Sequence, residues 1–234
     1  MYRARLFLLL VSSIGSLPAS AQLSIPNPGL NGPPGSGVTP PGWVVCMNTP
    51  DTNDGTIGGT TLAPLEGSTF MSIHPLPVLP ESAAATLSEP MVMGASYEFT
   101  MALAIAGLNL PASTTWIANN QGNNPGIVEI WGSTTGCTLD ELLWTSPVIL
   151  PGTGWTTVDV SLTPSADYSH LVFIPQIPSG ESLAPFMGID DISLPATPVP
   201  SLGRGLQFVL ALLLMVSTLS MLRSERNRPT RSAE

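Results

Sequence analysis

Between Gln22 and Gly203 the sequence contains no lysine and no arginine, although fourteen of its sixteen acidic residues lie in this stretch. The seven basic residues of the 234-residue chain are all arginines near its two ends, namely Arg3, Arg5, Arg204, Arg223, Arg226, Arg228 and Arg231. The body of the protein therefore has no cationic side chain for an ion pair, and its field repels phosphate. This excludes nucleic acid and anionic substrates as expected partners and makes cations the natural counter-species. The alternative is that the acidity only keeps an exported protein soluble.

The sequence also lacks the short motifs of common catalytic centres. It has no Gly-x-Ser-x-Gly elbow, no His-Glu-x-x-His helix and no phosphate-binding loop, and its only imidazoles are His74 and His170. Two facing carboxylates hydrolyse glycosides in many enzymes, but no spacing among the acids selects such a pair. We therefore expect a protein that is not an enzyme, with a glycoside-active enzyme as the less favoured alternative.

Helix signals are scarce, whereas 25 prolines and 22 glycines separate short apolar runs. In the clearest strand, 97–105, Tyr97, Phe99 and Met101 alternate with polar or small residues, as a half-buried strand requires. Further strands are predicted at 69–74, 127–131, 142–146, 155–162, 170–174 and 186–194, while 81–87 is either a strand or one helical turn. About eight such strands predict an all-β fold, an antiparallel two-sheet jelly-roll sandwich, over residues 43–195.

The two ends of the chain predict export and a membrane segment. Residues 1–21 combine two arginines, an apolar run and a small-x-small site before Gln22, which is typical of a secretory signal peptide. Residues 22–42 are rich in proline and glycine and predict a linker, or an arm laid over the domain. A second linker at 196–205 precedes an apolar run at 206–222, the length of a short transmembrane helix, and a basic cytoplasmic tail at 223–234.

The chain has two cysteines, Cys46 and Cys137. Two cysteines that stand alone in an exported protein usually pair. The sequence therefore predicts a disulfide between Cys46 and Cys137, which would close a long loop of the predicted sandwich.

A set of short motifs follows in order along the patterned region. They are Trp43 with Cys46 and Thr49-Pro-Asp51, then Glu66-Gly67, Glu81-Ser82, Gly94-x-x-Tyr97, Glu129-Ile-Trp-Gly132, Cys137, Leu143-Trp-Thr-Ser-Pro147, Trp155, Thr163-Pro164 and Ile189-Asp-Asp-Ile-Ser193. As an ordered set they resemble the galactose-binding-like jelly-roll modules of bacterial surface proteins, which are relatives of carbohydrate-binding modules. The resemblance covers roughly residues 43–195. It implies a fold that hosts sugar-binding, adhesive and purely structural modules.

Bound sugars usually contact flat aromatic rings beside amide and carboxylate groups, because the apolar face of a pyranose packs on the ring while its hydroxyls need hydrogen-bond partners. The sequence offers such groups at Trp116, Asn119, Asn120, Glu129, Trp131 and Trp155. They predict a site for a glycan or an extracellular matrix polymer. Two alternatives stay open: the tryptophans on strands seal the sandwich under its loops, or the domain is a structural surface protein without a specific ligand.

A sorting motif is suggested near the C-terminus, where Val199, Pro200, Ser201 and Leu202 precede the apolar run and an arginine cluster follows it. This order resembles the bacterial IPTL-CTERM and PEP-CTERM sorting signals, although Arg204 and Gly205 fill positions that are usually acidic and Trp. The resemblance implies processing by a dedicated sorting protease of the inner membrane and delivery to the cell surface. A plain single-pass membrane anchor with the domain outside is the alternative.

Resemblance to carbohydrate-binding jelly rolls also implies a structural Ca²⁺ ion between an early acidic residue and the last strand, which nominates Glu66 and Asp191 as metal ligands. Hard cations take several oxygen ligands, and the all-acid body has no internal counter-charge for a carboxylate cluster. Because Asp190 and Asp191 point to opposite faces of a strand, at most one of them faces inward. The loop at 51–54 is a second candidate. The alternative is that Glu66 caps a turn and Asp191 binds backbone amides.

Overall fold

The computed structural model describes residues 23–75, 80–107 and 122–195. Several sequence predictions fall outside these described residues: the signal peptide, the ligand candidates Trp116, Asn119 and Asn120, the sorting motif at 199–202 and the apolar run at 206–222. Within the three described ranges, no helix is long and apolar enough to cross a membrane.

The described residues form ten strands. They are β1 (Trp43–Met47), β2 (Asp51–Asn53), β3 (Phe70–Ile73), β4 (Ser82–Met91), β5 (Tyr97–Ile105), β6 (Ile127–Ser133), β7 (Glu141–Thr145), β8 (Thr156–Leu162), β9 (Tyr168–Gln176) and β10 (Met187–Ser193). Sheet 1 has the strand order β1-β4-β9-β6-β7, and sheet 2 has the order β2-β3-β10-β5-β8. All neighbouring strands run antiparallel. The predicted all-β jelly-roll sandwich is confirmed.

The core lies between the two sheets, and alternation along each strand decides which side chains enter it. On β5, every second residue from Tyr97 to Leu103 is buried, and the first three of these pair with the apolar residues Leu162, Val160 and Val158 of β8. From sheet 1, the ring of Phe173 reaches the same core, where its centroid lies 5.1 Å from that of Trp43. Because burial of apolar surface is the main favourable term in folding, this core fixes which face of each strand remains outside.

Residues 23–42 lie against the sandwich as an arm, one of the two alternatives for this segment. Leu23, Ile25 and Leu30 are buried in the main core. The carbonyl of Pro26 accepts a hydrogen bond from Nε1 of Trp43 at 3.0 Å. The few apolar residues among the prolines therefore hold this segment in place, although it forms none of the ten named strands.

Two segments were not settled by the sequence: the stretch after Asn48 and the stretch at 81–87. The turn-rich stretch after Asn48 contains β2, whose polar residues pair with β3, with Asp51 opposite Ser72. Three polar residues between turn signals have no strand pattern of their own, so this strand exists through its tertiary pairing. The ambiguous stretch at 81–87 is the first part of β4, since its small residues, such as Ala84, pair with β9 in the middle of sheet 1.

Candidate functional site

Part of the outer face of sheet 2, over β3 and β10, is covered by the protein itself. Leu62, from the connection between β2 and β3, and the ring of Trp155 pack on Phe70 outside this sheet. Gly188 of β10 lies beneath them, since a Cβ atom at this position would stand 2.9 Å from Cη2 of Trp155. This cover leaves no room for a ligand over β3 and β10, whereas the outer residues of β8, such as Thr157 and Asp159, are exposed.

On sheet 1 the disulfide holds a loop across part of the outer face. Cys137 lies between β6 and β7, and its sulfur is bonded to that of Cys46 on the edge strand β1, so the predicted disulfide is confirmed. Because β9 and β4 separate β6 from β1, residues 134–140, here called the disulfide loop, span both strands. Oγ of Ser169 on β9 donates a hydrogen bond to the carbonyl of Thr134 at 3.1 Å and fastens the start of the loop.

One carboxylate organises the disulfide loop from within. Oδ2 of Asp140 accepts hydrogen bonds from Oγ1 and N of Thr134, at 2.7 and 2.8 Å, and from Oγ1 of Thr138 at 3.1 Å. These hydrogen bonds, above all the one from the Thr134 hydroxyl, hold the pKa of Asp140 below its ordinary value. The disulfide, the hydrogen bond from Ser169 and the Asp140 carboxylate therefore restrain this loop, and among the described residues the outer face of sheet 1 beyond it is partly exposed.

Trp131 and Glu129 lie on this partly exposed face, two residues apart on β6. Nε1 of Trp131 donates a hydrogen bond to Oε2 of Glu129 at 3.0 Å, and Nε2 of Gln176 on β9 donates to the same oxygen at 3.3 Å. All three side chains are half-buried. Among the described residues, Oε1 of Glu129 has no hydrogen-bond partner. The carboxylate is thus held in place with one oxygen left to accept a hydrogen bond.

The indole ring of Trp131 rests on an apolar floor. Ala84 of β4 and the two β9 residues Val172 and Ile174 are buried outside the sheet and pack with Trp131 and Cys46. Because these neighbours include buried side chains on two central strands, the ring has support from below and little room to turn. The part of the half-buried ring that stays exposed is therefore held in place, which lowers the entropic cost of contact with a ligand.

The rim of this surface is formed by β7. Leu142 pairs with Trp131 and is 44% exposed, and the exposed Thr145 pairs with Glu129. We refer to Trp131, Glu129, Gln176, Leu142 and Thr145 together as the Trp131 site. It combines a flat ring and an aliphatic side chain with a carboxylate, an amide and a hydroxyl. This donor and acceptor set matches the alternating apolar and hydroxyl surface of a sugar.

Trp155 is the remaining predicted ligand residue that the structure describes. It does not lie on the outer face of sheet 1. Its Nε1 donates to the carbonyl of Ala63 at 2.9 Å, and its ring meets that of Phe70 edge-on with 5.3 Å between the centroids. These contacts tie Trp155 to the cover of sheet 2. Trp131 and Trp155 therefore lie on opposite sides of the sandwich and do not contribute to one site.

The pair nominated for calcium lies where β10 meets the connection before β3. Asp190, rather than Asp191, contacts this connection: its Oδ2 accepts hydrogen bonds from the amides of Leu65 (2.8 Å) and Glu66 (3.1 Å), and its Oδ1 accepts one from the amide of Asp191 (2.8 Å). Glu66 is exposed, and Asp191 is half-buried. Within the described residues, no group of three or more His, Cys, Asp or Glu side chains is placed to hold a metal. The Ca²⁺ ion at Glu66 and Asp191 stays a prediction.

Two further carboxyl groups, Asp51 and Glu81, are buried at one end of the sandwich. Glu81 accepts hydrogen bonds from Oγ1 of Thr49 (3.1 Å) and from the amide of His74 (2.9 Å), and Asp51 accepts one from the amide of Gly37 (2.8 Å). Burial, reinforced by the charge of Asp51, raises the pKa of Glu81 to about 8. Burial also raises the pKa of Asp51 and lowers that of His74 to about 4. Sequence reasoning missed this pair, because Asp51 in β2 and Glu81 just before β4 lie in distant segments with no shared motif.

A concave surface lies at the edge of sheet 2, between residues 147–153 and β8, away from the Trp131 site. It has a volume of about 500 Å³ and is lined by side chains that include Val148, Leu150, Thr157 and Asp159. This groove offers aliphatic and hydroxyl groups but no flat ring. For that reason the Trp131 site is the better candidate for recognition of a sugar.

No protein-family model and no curated protein matches the chain. Among solved structures, the chain is similar to an apo-form cyclase from Fischerella sp., with a TM-score of 0.48 and 13% identity over 75% of this chain and 96% of that one. A CBM4 structure gives a TM-score of 0.38 and 14% identity over 67% of this chain and 95% of that one. The CBM22-1 xylan-binding domain from Paenibacillus barcinonensis gives 0.36 and 8% over 65% and 83%. At these values the likeness says nothing about ligand or activity.

Proposed function

We propose that the Trp131 site binds a glycan and that the protein is a non-catalytic glycan- or matrix-binding module. One observation carries this proposal: a half-exposed indole ring that packs on buried apolar side chains stands beside a carboxylate whose Oε1 has no partner among the residues that the structure describes. The apolar face of a pyranose would pack on Trp131, while its hydroxyls would bind Glu129, Gln176 and Thr145.

Binding without chemistry is the simplest role for this arrangement. Glycoside hydrolysis in its usual form needs two carboxyl groups, one on either side of the scissile bond. Glu129 is the single acid among the five residues that define the Trp131 site. Its hydrogen bonds to Trp131 and Gln176 suit a fixed acceptor that orients a ligand.

We further propose that the domain acts outside the cell. The signal-like residues 1–21 and the apolar run at 206–222 support export followed by anchoring or sorting. A disulfide within the sandwich suits an oxidising compartment. A glycan or matrix polymer at the cell surface is then within reach of the Trp131 site.

Affinity electrophoresis in gels that contain single polysaccharides tests the proposal. We expect the purified chain to be retarded by at least one polymer, and Trp131→Ala to weaken that binding by about tenfold or more, as truncation of a central tryptophan usually does. Trp155→Phe is the matched control, because it changes a tryptophan on the opposite sheet, and it should leave the retardation unchanged. Folding of each variant is checked by circular dichroism.

Two results would overturn the proposal. A folded protein that no polysaccharide retards would favour the structural surface protein. Equal retardation of the parent and Trp131→Ala would move binding away from this face. Gln176→Ala provides a second, milder variant in case Trp131→Ala unfolds, and it should weaken binding in the same gels.

A further inference from the structure

The charge of the domain restricts the ligand of the Trp131 site. Residues 22–203 contain fourteen acids and no lysine or arginine. A glycan with carboxylate or sulfate groups would meet a repulsive field and no cationic partner on the body of the protein. The site therefore suits a sugar that is neutral or positively charged.

The side chain of Glu129 favours a positively charged sugar over a neutral one. Two neutral N–H groups, from Trp131 and Gln176, already occupy its Oε2, and Oε1 has no partner among the described residues. A half-buried carboxylate without a counter-charge gains more from a cationic donor than from a hydroxyl, since charge-assisted hydrogen bonds are roughly twice as strong as neutral ones. The structure thus holds an acceptor for which an ammonium group is the stronger partner.

The indole ring of Trp131 also favours a positively charged ligand. The face of an indole ring attracts a cation through the ring quadrupole, and tryptophan is the best of the aromatic side chains in this respect. Trp131 donates its Nε1–H to Glu129, so the carboxylate lies at the edge of the indole ring, and an ammonium group bonded to Oε1 contacts the ring face when it stands above the ring plane. Because neighbouring strands pair Leu142 and Thr145 with these two residues, a sugar ring attached to that ammonium would still find apolar and hydroxyl contacts.

We propose that the glycan bound at the Trp131 site is an amino-sugar polymer with free ammonium groups, that is, a hexosamine polymer that is at least partly free of N-acetyl groups. This inference rests on the proposed glycan-binding function and specifies its ligand. A basic peptide would satisfy Glu129 as well. The flat ring, the amide of Gln176 and the hydroxyl of Thr145 match a hydroxyl-rich sugar better than a lysine or arginine side chain.

The test compares six-sugar oligomers of glucosamine with N-acetylated oligomers of the same length and linkage. Binding to the purified full-length chain in mild detergent is measured by calorimetry at about pH 6, where an amine of this class is protonated. We expect the glucosamine oligomer to bind about tenfold or more tightly than its N-acetylated counterpart. The preference should shrink as salt is raised.

Two variants test whether the preference for the glucosamine oligomer arises at Glu129. Glu129→Gln keeps an acceptor for Trp131 and Gln176 but removes the charge, so it should bring the two affinities close together. Glu98→Gln, the same change at an exposed acid on sheet 2, is the matched control and should leave the preference intact. An equal loss of preference in both variants would show a general field effect and overturn the inference.

The remaining outcomes separate this inference from the proposed function. If both oligomers bind equally, or if only other neutral polymers bind and Trp131→Ala abolishes that binding, the glycan function stands and the amino-sugar inference falls. If no glycan binds the folded chain, both fall. If an oligolysine peptide binds more tightly than the glucosamine oligomer and Glu129→Gln removes that binding, the partner is a basic peptide and the inference is wrong.

Discussion

The stability of the domain should depend on pH through one buried acid, Glu81. Its side chain is 6% exposed, and its oxygens accept hydrogen bonds from the Thr49 hydroxyl and the His74 amide. Burial, with the charge of Asp51 acting in the same direction, raises the pKa of Glu81 from its ordinary 4.5 to about 8. At neutral pH the folded state therefore binds a proton that the unfolded chain has released.

The sign of the effect follows from proton linkage. Between pH 4.5 and 8 the folded state binds more protons than the unfolded state at Glu81, so the free energy of unfolding falls as pH rises, by about 1.4 kcal/mol per pH unit. Asp51, whose pKa burial also raises, adds a loss of the same sign. His74 acts oppositely: its pKa is lowered from 6.5 to about 4, so its contribution is lost as pH falls from 6.5 to 4.

These windows leave a range in which Glu81 outweighs His74. Between pH 6.5 and 8, His74 is neutral in the folded state and loses only its last half proton in the unfolded chain, whereas Glu81 contributes a loss of about 2 kcal/mol. Glu81→Gln removes the titrating group and keeps both hydrogen bonds, because the amide oxygen accepts from His74 while the amide nitrogen donates to the Thr49 hydroxyl. We therefore expect Glu81→Gln to gain about 2 kcal/mol on the parent across this range.

Urea unfolding followed by tryptophan fluorescence at closely spaced pH values gives this difference directly. Glu98→Gln, the same change at an exposed acid, is the matched control and should not reproduce the gain of Glu81→Gln. A constant difference between Glu81→Gln and the parent from pH 6.5 to 8 would refute the reasoning, since it would mean that Glu81 titrates alike in the folded and unfolded states.

Other features of the chain carry predictions of their own. The Cys46–Cys137 disulfide closes a loop with a sequence separation of 91, so its reduction should lower the free energy of unfolding by about 4 to 5 kcal/mol; urea curves that coincide with and without reductant would contradict this. The calcium site nominated at Glu66 and Asp191 predicts that millimolar Ca²⁺ raises the midpoint of thermal unfolding relative to chelator, and equal midpoints would remove it. Sorting cleavage predicts that the mature C-terminus lies upstream of residue 206, whereas recovery of the arginine tail by peptide sequencing would favour a plain anchor.

Much of the fold was predictable because its strands carry their own pattern. Tyr97, Phe99 and Met101 alternate with polar or small residues, and this period alone predicts which face of β5 is buried. In contrast, β2 consists of Asp51, Thr52 and Asn53, which read as a turn. Its strand conformation depends on pairing with β3 on one side and on the bridge from Thr52 to Gly35 on the other. Contacts between distant segments leave no local pattern in the sequence.

The candidate site was predictable in part for the same reason. Glu129 and Trp131 are two residues apart on one strand, so alternation placed them on one face before the structure was known. Gln176 was missed, because it reaches Glu129 only through the register that sets β9 against β6. Trp155 was grouped with Trp131, since both precede or occupy strands with polar faces. The sequence pattern does not tell to which sheet a strand belongs, and the two rings lie on opposite sides of the sandwich.

The central claim, that Trp131 is the platform for a glycan, is tested most directly by NMR of the indole N–H groups. The chain has five tryptophans, and the signal of Trp131 is assigned through its loss in Trp131→Phe. We predict that titration with a bound polysaccharide fragment shifts the Trp131 signal, because its N–H is bonded to the carboxylate that would contact the sugar, and leaves those of Trp43 and Trp155 in place. A saturable shift confined to other tryptophans, with Trp131 unmoved, would contradict the account.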